Sequence, residues 1–289
     1  MSRATSRARA ELSLIAVVAV WGWTFTAVKD ATEQVPVFSF LALRFGLAFL
    51  VFLPLIRRSS EDEPKSSALF PGLFCGAILA LGYALQTLGL TATSSGRSGV
   101  ITGISVALVP IGVGVLFRQK IRTLEWTGVI LALVGFGVLG TGDAPLNKGD
   151  LLVLGCAVAF AGHVIALDRW AKGRSARSLA AIQVGTAAAL FTGLAIWREG
   201  FDGFLAVDRS AAIAIAITGI VATTWAFTVQ TRAQQQVSAT RIALILALEP
   251  VFALIAGAVL RGETLGPSAW VGGGCVLAGM LCAELGPGK

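Results

Sequence analysis

Long apolar segments separated by short polar connections make up most of the chain. Apolar segments of about 17–25 residues are long enough to cross the hydrocarbon core of a bilayer as helices. The period-two alternation of a membrane-spanning β-barrel is absent. Because lipid offers the backbone no hydrogen-bond partners, each segment should be an α-helix, and we predict an all-α integral membrane protein with ten transmembrane helices. The segments are residues 12–28, 38–56, 69–90, 98–117, 124–140, 150–168, 179–197, 211–230, 240–260 and 268–284.

Basic residues are distributed unevenly over the two faces that these crossings define. Most of the 23 Lys and Arg residues fall in the amino terminus, in the connections on its side of the membrane, or at the carboxyl end. Cytoplasmic connections carry the excess of Lys and Arg in membrane proteins, so we expect both termini in the cytoplasm. The opposite face receives only Lys29, Arg97, Lys148, Arg198, Arg209 and Arg261.

Composition narrows the classes of partner. The chain is 55% hydrophobic and 13% charged, whereas about a quarter of the residues in a soluble domain are charged. The net charge of +7 then reflects membrane topology, and we expect a lipid bilayer and a small-molecule substrate as partners, with no nucleic acid. The chain has one histidine, and its four cysteines all fall within apolar segments. We therefore expect no metal site and no cofactor.

When the sequence is shifted along itself, its second half matches its first half at two constant offsets in residue number. These matches favour a duplication of five helices, with halves at residues 1–145 and 146–289. Because five is odd, the second half enters the membrane from the opposite face, as in many transporters. A duplicated bundle without transport activity is the alternative. One offset pairs Glu11 with Asp150, Trp21 with Phe160, Thr24 with His163 and Arg44 with Gln183, and the other pairs Tyr83 with Phe227, Gln86 with Gln230 and Trp126 with Trp270.

Two charged residues stand alone inside apolar segments. Arg44 interrupts "FSFLALRFGLAFLVFLPL" and Glu249 interrupts "LALEPVFALIAGAVL". Helical rise places them at depths that differ by only about 7 Å in a core of about 30 Å. Each would cost on the order of 3 kcal/mol or more in contact with lipid, so both should face the bundle interior. They either line a pathway or form a structural ion pair between two helices.

Further polar and aromatic residues within the segments are candidates for lining a cavity. His163 would donate hydrogen bonds or sense pH, and a packed, neutral histidine is the alternative. Pro110 and Pro250 are candidate hinges, because proline frees the carbonyl four residues earlier. The remaining candidates are Trp21, Trp23, Thr24, Tyr83, Gln86, Trp225 and Gln230.

Several stretches resemble the EamA family of the drug/metabolite transporter superfamily. "VWGWTFTAVKD" resembles the start of its first helix, and "ISVALVP" and "LALEPVFALIAGAVLRGETL" resemble its two proline-bearing helices. "WTGVILALVGFGVLG" and "WVGGGCVLAGMLCAEL" are similar to its glycine-rich fifth and tenth helices. The halves differ, since Val109 stands where the repeat of Glu249 would fall, and Gln119–Lys120 stands where the family has Gly-Glu. The ionisable residue therefore belongs to one half.

The resemblance implies a secondary transporter of a bacterial inner membrane that exports metabolites by alternating access through a central cavity. Length and layout are similar to the YddG-type aromatic amino acid exporters of that superfamily, so we expect aromatic or hydrophobic amino acids, or another small metabolite or drug. No enzyme is expected, because the segments lack a nucleophile with a base, paired aspartates or a metal-binding pair. A channel would need a ring of polar residues in an oligomer. One chain already supplies both halves, so a monomer is sufficient, and the oligomeric state stays open.

Overall fold

The fold is helical throughout the part of the chain that the structure describes. This computed structural model describes residues 3–57, 68–139, 147–261 and 266–284. A short 3₁₀ helix, Asp202–Phe204, and a π-helical stretch, Ile220–Trp225, accompany the α-helices. The α-helices are α1 (Arg3–Thr32), α2 (Val37–Arg57), α3 (Leu69–Ala92), α4 (Ser95–Gly103), α5 (Ser105–Phe117), α6 (Thr123–Leu139), α7 (Lys148–Trp170), α8 (Ala176–Arg198), α9 (Arg209–Gly219), α10 (Ala226–Gln234), α11 (Ala239–Leu246), α12 (Glu249–Arg261) and α13 (Pro267–Glu284).

The helices have the length and composition of membrane spans. The prediction of an all-α membrane protein is confirmed, with 8 stretches of the described residues long and apolar enough to cross a bilayer. The two other predicted segments correspond to shorter apolar helices, Thr123–Val138 and Trp270–Gly279. That these two also cross the membrane stays a prediction. Orientation stays a prediction too, and Arg58, Lys65 and Lys289, which contribute to it, lie outside the described residues.

Three of the predicted segments are interrupted where a single helix was expected. Segment 98–117 breaks at Ile104, between α4 and α5, and segment 240–260 breaks between α11 and α12, just before Pro250. Segment 211–230 passes through the π-helical stretch, where Thr223 and Thr224 hydroxyls donate to carbonyls five residues earlier. Such interruptions are common at functional sites, because they free backbone groups inside a helical bundle.

Capping residues fix the starts of several helices. Asn147 and Asp150 form a reciprocal capping box at the start of α7, and Asp208 caps α9 through Ala211 N. The start of α2 is capped by a distant residue. Glu199, at the end of α8, accepts from the backbone N–H groups of Phe38 and Ser39 at 2.9 and 2.7 Å. This contact fixes α2 to α8, and thereby the position of Arg44.

The main helix contacts all join the chain before residue 140 to the chain after residue 147. Helix α6 packs on α13, α3 on α7 and α8, α2 on α8, and α1 on α12. Helices α6 and α13 lie so close together that a side chain at Gly128 would collide with the backbone of Gly279. The two regions are therefore interleaved, and the space between them lies inside the bundle.

Candidate ligand-binding cavity

A cavity lies at the centre of the bundle, beside two of the three helix interruptions. Its walls come from α1, α2, α3, the α4–α5 break, α7, α10 and the α11–α12 break. About 70 Å³ of it accepts the centres of water-sized molecules, which is room for roughly five to seven waters at about 10–15 Å³ each. The cavity thus has room for several waters or a small organic molecule.

The structure brings most of the predicted site residues together. Trp23 and Trp225 do not line the cavity, and each is 38% exposed on the outer surface of the bundle. Pro110 is buried within α5 and is also absent from the lining. The predicted residues that do line the cavity are Trp21, Thr24, Arg44, Tyr83, Gln86, His163, Gln230, Glu249 and Pro250.

Arg44 is held by side chains from two other parts of the bundle. Its Nε donates to Thr223 Oγ1 at 3.0 Å, and one terminal nitrogen donates to Tyr83 Oη at 3.4 Å. The guanidinium carbon also lies 4.7 Å from the centre of the Tyr83 ring, within cation–π range. Among the described residues, no ion pair joins Arg44 to Glu249. The structural ion pair that the sequence left open is not formed in this conformation.

Glu249 faces the cavity from the first turn of α12. Helix α1 lies so close to the backbone of Glu249 that a Cβ atom added at Gly22 would be 2.8 Å from Glu249 O. Pro250 follows in the first turn, where a missing N–H costs no helical hydrogen bond. The amino-terminal end of a helix favours a carboxylate. Within the described parts of the chain, no side chain or backbone group donates a hydrogen bond to this carboxylate.

His163 belongs to a buried chain of polar groups. Its Nε2 lies 2.7 Å from Gln183 Oε1, and Gln183 Nε2 donates to Thr231 Oγ1 at 3.2 Å. Because the Gln183 amide nitrogen is engaged by Thr231, its oxygen is left to accept from the imidazole. His163 is only 2% exposed, and its neighbours match those of a packed histidine at the cavity wall.

Two glutamines line the cavity with different hydrogen bonding. Gln86 Nε2 donates to Thr102 Oγ1 at 3.4 Å. Gln230 is 2% exposed, and its Oε1 is buried without a hydrogen-bond partner. Such an unpaired buried acceptor is unusual in a folded protein.

Aromatic rings form the apolar wall. Tyr83 lies edge-on to Phe160 and Phe227, with ring centres 5.3 and 6.2 Å apart, and Trp21 lies 5.6 Å from Phe227. Trp21 Nε1 donates to Ala222 O at 2.8 Å. The sequence did not single out Phe160 and Phe227, although the repeat offsets pair them with Trp21 and Tyr83. That pairing was the signal available for finding them.

Apolar helices that enclose a polar, aromatic-walled cavity beside interrupted segments are typical of membrane transport proteins. The chain belongs to the EamA-like transporter family, whose model matches residues 8–141 and again residues 147–284.

Relatives with similar sequences carry transporter names. An "Uncharacterized transporter" of Archaeoglobus fulgidus is 29% identical over 280 residues, covering 96% of this chain and 87% of the relative. The "Uncharacterized transporter YwfM" of Bacillus subtilis is 27% identical over 96% of this chain and 95% of its own. The "Uncharacterized inner membrane transporter YedA" of Escherichia coli is 26% identical over 95% and 90%. The chain is therefore a multi-pass membrane transporter.

The fold is also that of a known crystal structure. That protein superposes with a TM-score of 0.80 at 20% sequence identity, covering 96% of this chain and 98% of the other. At this identity the likeness establishes the fold alone.

Proposed function

We propose that the protein is a secondary transporter that exports aromatic or hydrophobic amino acids, or closely related metabolites, by alternating access through the central cavity. The observation that carries this proposal is the cavity lining. It combines charged, amide and aromatic side chains from both regions that the family model matches. An apolar pocket with a few polar groups suits a small amphiphile. YedA, a relative named as an inner membrane transporter, supports the same location here. We place both termini in the cytoplasm because the excess of Lys and Arg falls on that side.

Two inverted halves, residues 1–145 and 146–289, would give the protein its mechanism. The double match of the family model supports this division, and the proposed boundary lies outside the described residues. Packing supports it too, because α2 contacts α8 and α6 contacts α13, which are the pairs that the repeat would relate. Rocking one half against the other would open the shared cavity to either face.

Solute counterflow in proteoliposomes tests the proposal. Vesicles preloaded with unlabelled phenylalanine or leucine should accumulate the labelled amino acid transiently and saturably. Arg44→Ala should lower the exchange rate at least severalfold, because it removes a cavity charge that also joins three parts of the bundle. Arg209→Ala is the matched control, since Arg209 is exposed at the start of α9. If no amino acid is exchanged, the proposed amino acid cargo is wrong. Conductance that does not saturate would indicate a channel.

A further inference from the structure

We propose that the cavity recognises the protonated amino group of its cargo, and that Glu249 and Gln230 form this subsite. The inference rests on the proposed function insofar as the central cavity is the cargo site. It adds which chemical group of the cargo is bound and which residues bind it.

The cavity has acceptors that nothing in the described structure satisfies. A carboxylate only accepts hydrogen bonds, and the Glu249 carboxylate has no donor among the described residues. Gln230, which is only 2% exposed, lines the same cavity, and its Oε1 has no hydrogen-bond partner. Buried acceptors without donors are costly. A ligand that carries several N–H donors would satisfy both residues.

The cationic side of the cavity, in contrast, already has partners. Arg44 donates to Thr223 and Tyr83 and lies against the Tyr83 ring. The guanidinium of Arg44 is thus partly satisfied within the protein, whereas the carboxyl group of Glu249 forms no ion pair among the described residues. A positively charged ligand group therefore gains more from this cavity than a negatively charged one does.

The aromatic wall favours the same chemistry. The centre of the Phe227 ring lies 5.6 Å from that of Trp21 and 6.2 Å from that of Tyr83, and all three residues line the cavity. Aromatic faces attract ammonium groups and also accept an apolar side chain. An amine attached to a hydrophobic or aromatic body matches both the acceptors and the wall.

Ligand-dependent thermal unfolding of the purified protein tests the subsite without requiring transport. The probes are 2-phenylethylamine, phenylalanine and 3-phenylpropionate, which differ in carrying the amine, both groups or the carboxylate alone. A ligand that binds only the folded state raises the unfolding temperature. We expect a rise with the amine and with phenylalanine, and none with 3-phenylpropionate at the same concentration. Equal stabilisation by 3-phenylpropionate, or none by either amine-bearing probe, would overturn the proposal.

Variants assign the effect to the two residues. Glu249→Gln should weaken amine binding about tenfold or more, as expected for loss of a charge-assisted hydrogen bond, and Gln230→Met should weaken it severalfold. Glu33→Gln, at an exposed carboxylate near the end of α1, should leave binding unchanged. Unaltered amine binding by Glu249→Gln would refute the assignment. Unliganded unfolding temperatures show that each variant is folded.

Two further results distinguish ammonium binding from the binding of an inorganic cation and from transport itself. If sodium ions stabilise the wild-type protein, amines do not, and Glu249→Gln abolishes the sodium effect, then Glu249 holds an inorganic cation and the ammonium proposal is wrong. Amine binding without counterflow would support the subsite while defeating the transport proposal. Counterflow of 3-phenylpropionate as fast as that of phenylalanine would support the transport proposal while contradicting the ammonium subsite.

Discussion

Two tryptophans on the same helix show how much depends on which way a side chain points. Trp21 lines the cavity and donates to Ala222 O, whereas Trp23 is 38% exposed on the outside of the bundle. The sequence predicted a role in the cavity for both. In a membrane helix both faces are apolar, so the hydrophobic pattern does not fix the rotation of the helix about its axis.

Substituting phenylalanine at each position should separate these roles. Trp21→Phe removes the hydrogen bond to Ala222 O, which should cost about 1 kcal/mol of stability, and it alters the cavity wall. We expect a lower unfolding temperature and slower counterflow. Trp23→Phe keeps an aromatic ring facing lipid and should change neither quantity appreciably. Equal losses of counterflow in the two variants would show that Trp21 has no special place in the pathway.

The isolated charges were the site residues that the sequence predicted most directly. The cost of exposing Arg44 or Glu249 to lipid required both to face inward, and both line the cavity. The partners of Arg44 were not predictable in the same way. Thr223 reaches Arg44 from a π-helical stretch, and no spacing in the sequence indicated that local change of helical pitch.

At the scale of the helices, the length of each apolar segment predicted that a helix exists and roughly where it ends. Two of the helix interruptions could not be predicted in this way. Pro250, a predicted hinge because proline cannot donate to the preceding turn, lies just after the break between α11 and α12. The break at Ile104 and the π-helical stretch contain no proline. They depend on packing against neighbouring helices, which a single segment of sequence does not encode.

The contact between α1 and α12 gives a prediction at this scale. A Cβ atom at Gly22 would lie 2.7 Å from Phe252 Cβ and 2.8 Å from Ala253 N, so Gly22→Ala must push the two helices apart. We expect a lower unfolding temperature and slower counterflow, because Glu249 stands at this contact. Gly46→Ala in α2 is the control, since nothing lies within 4 Å of its added methyl group. There we expect unchanged stability or a gain of up to about 1 kcal/mol. Similar destabilisation of both variants would contradict this close packing.

For the whole molecule, the repeat offsets carried more structural information than any single motif. They pair Trp21 with Phe160, Tyr83 with Phe227 and Gln86 with Gln230, and all six residues line one cavity. The sequence could not predict the size of that cavity or its unpaired acceptors. Those features depend on how closely the interleaved helices approach, and hence on contacts between distant parts of the chain.

Access to the cavity from the two faces of the membrane tests the proposed mechanism most directly. A single cysteine replacing Ser105, which lines the cavity, would be placed in a chain whose four native cysteines are alanine. An impermeant maleimide would then be applied to right-side-out and to inverted vesicles. A cysteine replacing Ser175, the residue that caps α8 in a connection, is the control and should react from one face only. Alternating access predicts labelling at position 105 from both faces, slowed by saturating cargo, whereas labelling from one face under every condition would contradict it.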